Sequence, residues 1–337
     1  MGWKDLFRPK GVALKADARI RWFGKLPTYA DYYTSSGDED WSVEFHEWLL
    51  KGYETYHSRK PAGERSARLP GSTLIVRLPK SRMTVLAALQ DYGGDMRGRP
   101  FPLCFYVGLP SDAWPGPAPE RIGPALDVLE RLTTLRQEVA RFCNAPGRFE
   151  VRFGGRELTL GELLREDGDT RWLQAARALP LADWFAAARP ALKVDELGRW
   201  HQLAHGWGDA IAGFESDDFS PTLRFPLAAR VAPDVQIAGW LRWLSGRMDV
   251  AGRWLTVITT QAVANDVGYL YVVARELTAD DFLLLTSLAT SLPYVDDLCA
   301  LGGNERAEDK PGGPTSGRTS QSVPQVWAEF VEAVPSP

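Results

Sequence analysis

Phe45, Trp48, Leu49, Gly52, Tyr53 and Tyr56 recur at the spacing of one helical face, and this stripe constrains the chain more than any other feature. A helix with so many rings on one side must bury them against another element. The sequence offers a strand for it. Ile20–Leu26 is short and apolar, carries Trp22 and Phe23, and stops at Pro27. The strand and the helix are expected to share one core. Ser42 is the predicted N-cap, and Glu44 and Glu47 suit the positive end of the helix dipole.

The remaining pattern alternates in kind. Strands are predicted at Ser72–Leu78, Phe101–Leu109, Leu223–Ala228, Trp254–Thr260 and Tyr269–Ala274. Helices are predicted at Ala125–Phe142, Leu173–Leu179, Leu181–Ala188, Asp195–Phe214, Val235–Leu244 and Asp280–Leu292, with one short helix at Met83–Leu89. Phe149–Phe153 and Glu157–Leu160 read as a hairpin around Gly154-Gly155. Strands that come both paired and separated by helices define an α/β class with mostly antiparallel sheets flanked by helices. Thr73-Leu74 and Thr222-Leu223 each open a strand, and Gly98-Arg99 and Gly252-Arg253 each precede a later one, an echo that is either a duplication or a coincidence.

A length of 337 residues suggests about two domains. The expected division is a lead-in over 1–19, an α/β domain over 20–147, a second over 148–301, a Gly/Pro/Ser-rich linker over 302–322 and a short amphipathic segment over 323–337. Trp327, Phe330, Val331 and Val334 fall at helical spacing in that last segment. An isolated helix of about 12 residues is marginal in water. The stripe must therefore find a groove, either on this chain or on a partner.

Composition excludes several functions. The chain has 39 basic and 43 acidic side chains and a net charge of −4, so it lacks the basic footprint of a nucleic-acid binder. Mean hydropathy is −0.24, and no apolar run approaches the ~20 residues of a membrane span. Neither membrane insertion nor a secretory signal is expected. Three widely spaced cysteines, Cys104, Cys143 and Cys299, suit a reducing compartment, and the expected address is cytoplasmic. No phosphate loop, dinucleotide fingerprint or Gly-x-Ser-x-Gly elbow occurs. The sharpest enzymatic pattern is His201 and His205 at i and i+4, the zinc-binding spacing. The intervening position that needs a carboxylate base is Gln202, and a third ligand is not evident. No catalytic, metal or cofactor residues are assigned.

One pair of blocks is more specific. Trp22-Phe23-Gly24-Lys25-Leu26-Pro27 is followed by Asp31 and then by a helix with Trp48-Leu49, and Gly98-Arg99-Pro100-Phe101-Pro102-Leu103 follows later. Together they resemble the TagF/ImpM family over about residues 20–110. That family opens with an aromatic-Gly-Lys-Leu-Pro strand and a Gly-Asp-Phe turn, and later carries Gly-Arg-x-Phe-Pro-Leu. Three departures stand out. Gly-Asp-Phe is Ala30-Asp31-Tyr32 here, the family's Pro-Ser-x-Asp-Arg run is replaced by Asp91–Met96, and the late tandem Trp pair becomes Trp240 and Trp243.

The resemblance implies a non-enzymatic accessory or regulatory protein of a bacterial type VI secretion system. Such a protein acts after translation through protein–protein contacts and, in some members, represses assembly or firing. The implied partners are other type VI secretion proteins, a forkhead-associated scaffold being one candidate. A structural or assembly subunit of the machine is the alternative, and a metal-dependent hydrolase centred on His201 and His205 is a third. The residues themselves describe a rigid strand–loop–helix corner, which is either merely structural or a partner surface. As a surface it would use Trp22, Gly24, Lys25, Pro27, Tyr29, Asp31, Tyr32, Tyr33, Arg99 and Phe101, with Trp327 and Phe330 as anchors on the terminal segment.

Overall fold

Period-two alternation in strand β3 (Ser72–Leu78) sets the layering, because Leu74, Val76 and Leu78 enter one core and Ile75 the other. The computed structural model describes residues 19–35, 39–60, 68–111, 122–145, 168–212, 222–247, 256–261, 267–301 apart from Ser287, Thr290 and Ser291, and 323–332. Within them runs one mixed α/β sheet of nine strands, all neighbours antiparallel except the last pair. The other strands are β1 (Arg21–Gly24), β2 (Tyr33–Thr34), β4 (Met83–Gln90), β5 (Leu103–Pro110), β6 (Thr222–Ala228), β7 (Thr256–Thr260), β8 (Val267–Val273) and β9 (Val295–Asp297). Their order is β2-β1-β5-β4-β3-β7-β8-β6-β9. Ser72 faces Thr260 and Ile75 faces Val257 across β3 and β7, so the sheet continues from the first half of the chain into the second. The expected boundary at 147/148 and the expected hairpin at 149–160 lie outside the described residues.

One face of the sheet carries helix α1 (Asp40–Arg59) and a 3-10 turn at Ala279–Leu285. The aromatic stripe of α1 is buried as its spacing requires, with Phe45 and Leu49 wholly enclosed and Tyr53 half-buried. Trp48 donates its indole N–H to the Thr278 carbonyl at 2.8 Å and packs on Phe282. Strand β1 lies in the same sheet and shares this core through Phe23. The other face carries α2 (Ile122–Phe142), α3 (Gly168–Ala178), α4 (Leu181–Ala188), α5 (Leu197–Ala212), α6 (Pro233–Ser245) and α7 (Trp327–Glu332).

Four expectations need correction. Met83–Leu89 is not a helix but the core of β4, a central strand buried on both faces. A strand with two apolar faces shows no alternation, so periodicity cannot separate it from a buried helix. Ser42 is not the N-cap of α1; the helix starts at Asp40 after Glu39, and the Ser42 hydroxyl donates to the Glu39 carbonyl at 2.7 Å. The Glu39 carboxylate is instead engaged by Arg21 and by the Trp41 indole, which fixes the start of the helix. Among the described residues the expected helix Asp280–Leu292 is instead a 3-10 turn over Ala279–Leu285, where the consecutive Phe282, Leu283, Leu284 and Leu285 are all buried and show no one-sided stripe. Its capping box joins Thr278 and Asp281. Finally, the strand Thr73-Leu74 leads into strand β4 rather than a helix, whereas β6 leads into α6, so the expected echo is not carried by like elements.

Candidate protein-interaction site

Lys25 leaves β1 inside an apolar run, and a lysine buried there needs a carboxylate. Asp95 supplies it from the loop between β4 and β5. The Lys25 Nζ lies 3.3 Å from Asp95, and the two side chains are 6% and 0% exposed. Asp95 also accepts the backbone N–H groups of Arg97 (2.9 Å) and Arg99 (3.0 Å) and the Arg99 guanidinium (2.7 Å). Burial alone would raise its pKa, but these hydrogen bonds and that of Lys25 prevail and hold the carboxyl at about 2.

The two motif blocks therefore meet around one carboxylate that belongs to neither. Arg99 extends from Asp95 to the Ala30 carbonyl at 2.8 Å and stands 3.6 Å from Asp31. Asp31 accepts the Tyr32 N–H at 2.9 Å, as expected of a loop-fixing aspartate. Lys25 faces the Tyr32 ring at 4.7 Å, and Tyr32 stacks on Phe23 (5.1 Å) and meets Phe101 edge-on (5.2 Å). Tyr29 stacks on Tyr33 at 4.4 Å, and Tyr33 on Trp22 at 5.8 Å. Gly24 has φ +148°, and any Cβ there would overlap the Pro102 carbonyl of the second block.

Exposure divides the expected interaction residues. Trp22, Gly24, Lys25 and Phe101 are buried, Pro27, Tyr29 and Tyr33 are half-buried, and Asp31, Tyr32 and Arg99 are exposed. The buried ones form the frame and the exposed ones its surface. Asp95 was not singled out from the sequence. The signal for it was a lysine inside an apolar strand, whose partner had to come from a loop rich in Gly and Asp.

Trp327 and Phe330 lie elsewhere, fully enclosed by their own chain. Trp327 packs on Trp184 (4.4 Å) and Trp240 (5.0 Å), and its backbone N–H donates to Leu179 at 2.8 Å. The indole lies so close to Gly239 on α6 that no Cβ would fit between them. Of the two grooves open to this segment, the structure shows the one on the same chain.

His201 and His205 share the expected face of α5, with Nε2 atoms 3.1 Å apart. Arg247 stands 3.4 Å from the His205 Nδ1. Burial, His201 and Arg247 together push His205 down to about 4, and burial lowers His201. Among the described residues no three His, Cys, Asp or Glu side chains come together as a metal site. The three cysteines are buried and unpaired, and burial raises the pKa of each. No helix among the described residues is long and apolar enough to cross a membrane.

No protein-family profile matches the chain, and no curated protein matches it. Among solved structures it is similar to PA0076 from Pseudomonas aeruginosa PAO1, at 19% identity and a TM-score of 0.25. That likeness covers 27% of this chain and spans 43% of the other, so it is local to both.

Proposed function

We propose that this chain is a TagF/ImpM-type accessory protein of a bacterial type VI secretion system, cytoplasmic and acting after translation by contact rather than by catalysis. The observation that carries the reading is the joining of the two resemblance blocks. Residues about 70 positions apart meet there: Lys25 and Arg99 close on the buried Asp95 carboxylate, Asp31 stands against Arg99, and Tyr32 and Arg99 lie at the surface. Rigid display of Tyr and Arg is the composition of an interface hot spot. The His201–His205 pair supports action without metal, because the Arg247 guanidinium beside it opposes a second cation. A forkhead-associated scaffold is one partner the reading points to, and repression of assembly or firing is the mode it favours.

Affinity capture of the full-length chain from its native cell, followed by mass spectrometry, tests this. Recovery of type VI components at stoichiometric level is the expected result. Tight, salt-resistant recovery with the membrane or baseplate parts would favour a structural subunit, and recovery of none of them would overturn the reading.

A further inference from the structure

The exposed large hydrophobic side chains among the described residues are few, and two of them, Met96 (65% exposed) and Tyr32 (39%), stand on the same corner. Met96 is not on a loose loop. Its N–H donates to the Tyr29 carbonyl at 2.9 Å, and the next-door Asp95 gathers the N–H groups of Arg97 and Arg99. Gly94 and Gly98 take positive φ values, +87° and +71°, so that the loop can close this way. The backbone is thus fixed around a buried carboxylate, and the thioether is left pointing at water.

The charges around it have a definite arrangement. Arg68, Arg97 and Arg99 are exposed. Arg68 borders the same loop, its Nη2 being 3.1 Å from where a Cβ on Gly93 would stand. Of the carboxylates nearby, Asp95 holds Lys25 and Arg99 and Asp31 stands against Arg99, while Asp91 is buried and accepts the Gly93 N–H at 2.7 Å. Glu54 on α1 acts on the Tyr32 side of the corner. Neither Arg68 nor Arg97 pairs with a carboxylate among the described residues. An exposed methionine and tyrosine on a corner with two exposed guanidinium groups that stand in no ion pair among the described residues match the residue types that interfaces favour.

We propose that Met96, Tyr32, Arg68 and Arg97 form a docking face for an acidic protein surface, with Met96 inserted into an apolar pocket of that partner. The assignment rests on the reading of this chain as a contact-acting accessory protein and adds the chemistry of the partner. The unbranched thioether fits an irregular pocket, and the arginines supply attraction that salt screens.

The experiment titrates the full-length chain against each purified cytoplasmic component of the type VI system of the same cell, in about 50 and about 300 mM salt. Met96→Asp and an Arg68→Glu, Arg97→Glu pair should each weaken the complex by about tenfold or more. An Arg177→Glu control on α3 should leave it unchanged, and all variants should keep the parent's denaturation midpoint. Higher salt should weaken the parent complex and leave the arginine variant nearly insensitive. A component that binds both corner variants like the parent overturns the docking face while the proposed function stands. If no component binds, the proposed function fails, and the face is judged on a Glu/Asp-rich peptide with a central Leu-Phe pair. Binding that is lost in Met96→Asp upholds the face, and absence of binding by the parent overturns it.

Discussion

The Lys25 ammonium and the Asp95 carboxylate form a salt bridge of 3.3 Å with both side chains almost wholly out of water. A buried pair of this kind is costly to break from one side, because the remaining charge is stranded. Asp95→Ala should therefore lower stability by about 3–5 kcal/mol. Replacing both partners, Lys25→Met with Asp95→Leu, should cost less than the sum of the single changes. A double-mutant cycle by chemical denaturation measures this coupling, and additivity would show that the two groups act independently.

The same carboxylate gives a signed response to acid. Its folded pKa is about 2, below the ordinary aspartate value of 3.8. The folded state therefore resists protonation where the unfolded state accepts it, and the stabilisation is present in full above about pH 4. It should fade as the pH falls from about 4 through about 2. The parent should lose stability over that window more steeply than the double variant, as read by denaturation midpoints at successive pH values. Parallel curves would assign the acid response to other groups.

The core of the first face was legible in the sequence because α1 has a single wide aromatic stripe. Trp48 is 9% exposed, bonded to the Thr278 carbonyl and packed at a tilt on Phe282. Trp48→Ala should cost about 3–5 kcal/mol through lost packing and the cavity left behind. An unchanged denaturant midpoint would place that side chain in water.

Legibility tracked how much each segment advertised its surroundings. Leu181–Ala188 could be bounded to the residue, because Pro180 and Pro190 punctuate an apolar run of helical period. Met83–Gln90 could not, because its two buried faces erase the alternation that marks a strand. The joining of β3 to β7 was also invisible, since Ser72 and Thr260 are nearly 190 positions apart and edge pairing depends on backbone groups common to every residue. At the corner, Lys25, Asp31 and Arg99 were readable as motif residues, whereas Asp95 was hidden in a loop. Loop aspartates are usually solvated turn formers, and only the three-dimensional approach of Lys25 changes that meaning.

The histidine pair makes a second, separate pH prediction. His205 is held at about 4, below the usual 6.5, by burial, His201 and Arg247, with Asp209 acting the other way. The unfolded chain therefore binds the proton first as pH falls. The stability is complete above about pH 6.5 and is lost progressively towards about 4. His205→Gln should flatten the response between pH 7 and 5 without changing the limb below pH 4 that Asp95 governs. An unaltered slope between pH 7 and 5 would show that His205 is not the titrating group.

The terminal helix gives the last test, because α7 is too short to hold itself together. Six residues, Trp327–Glu332, make a helix far below the length that is stable alone. It persists because Trp327 and Phe330 are enclosed by Trp184, Trp200 and Trp240, and because its chain pairs with Pro180–Leu181. Two large side chains leaving water should contribute several kcal/mol between them, on the order of 2–3 each. Trp327→Ala should thus lower stability by about 3–5 kcal/mol. Filling the Gly239 notch, Gly239→Leu, should expel the same helix from the other side. Removing residues 302–337 should bare the groove formed by α4, α5 and α6 and raise the binding of an apolar dye. If the truncated chain keeps the parent's denaturation midpoint and binds no more dye, the segment adds nothing to the fold, and its role lies off this chain.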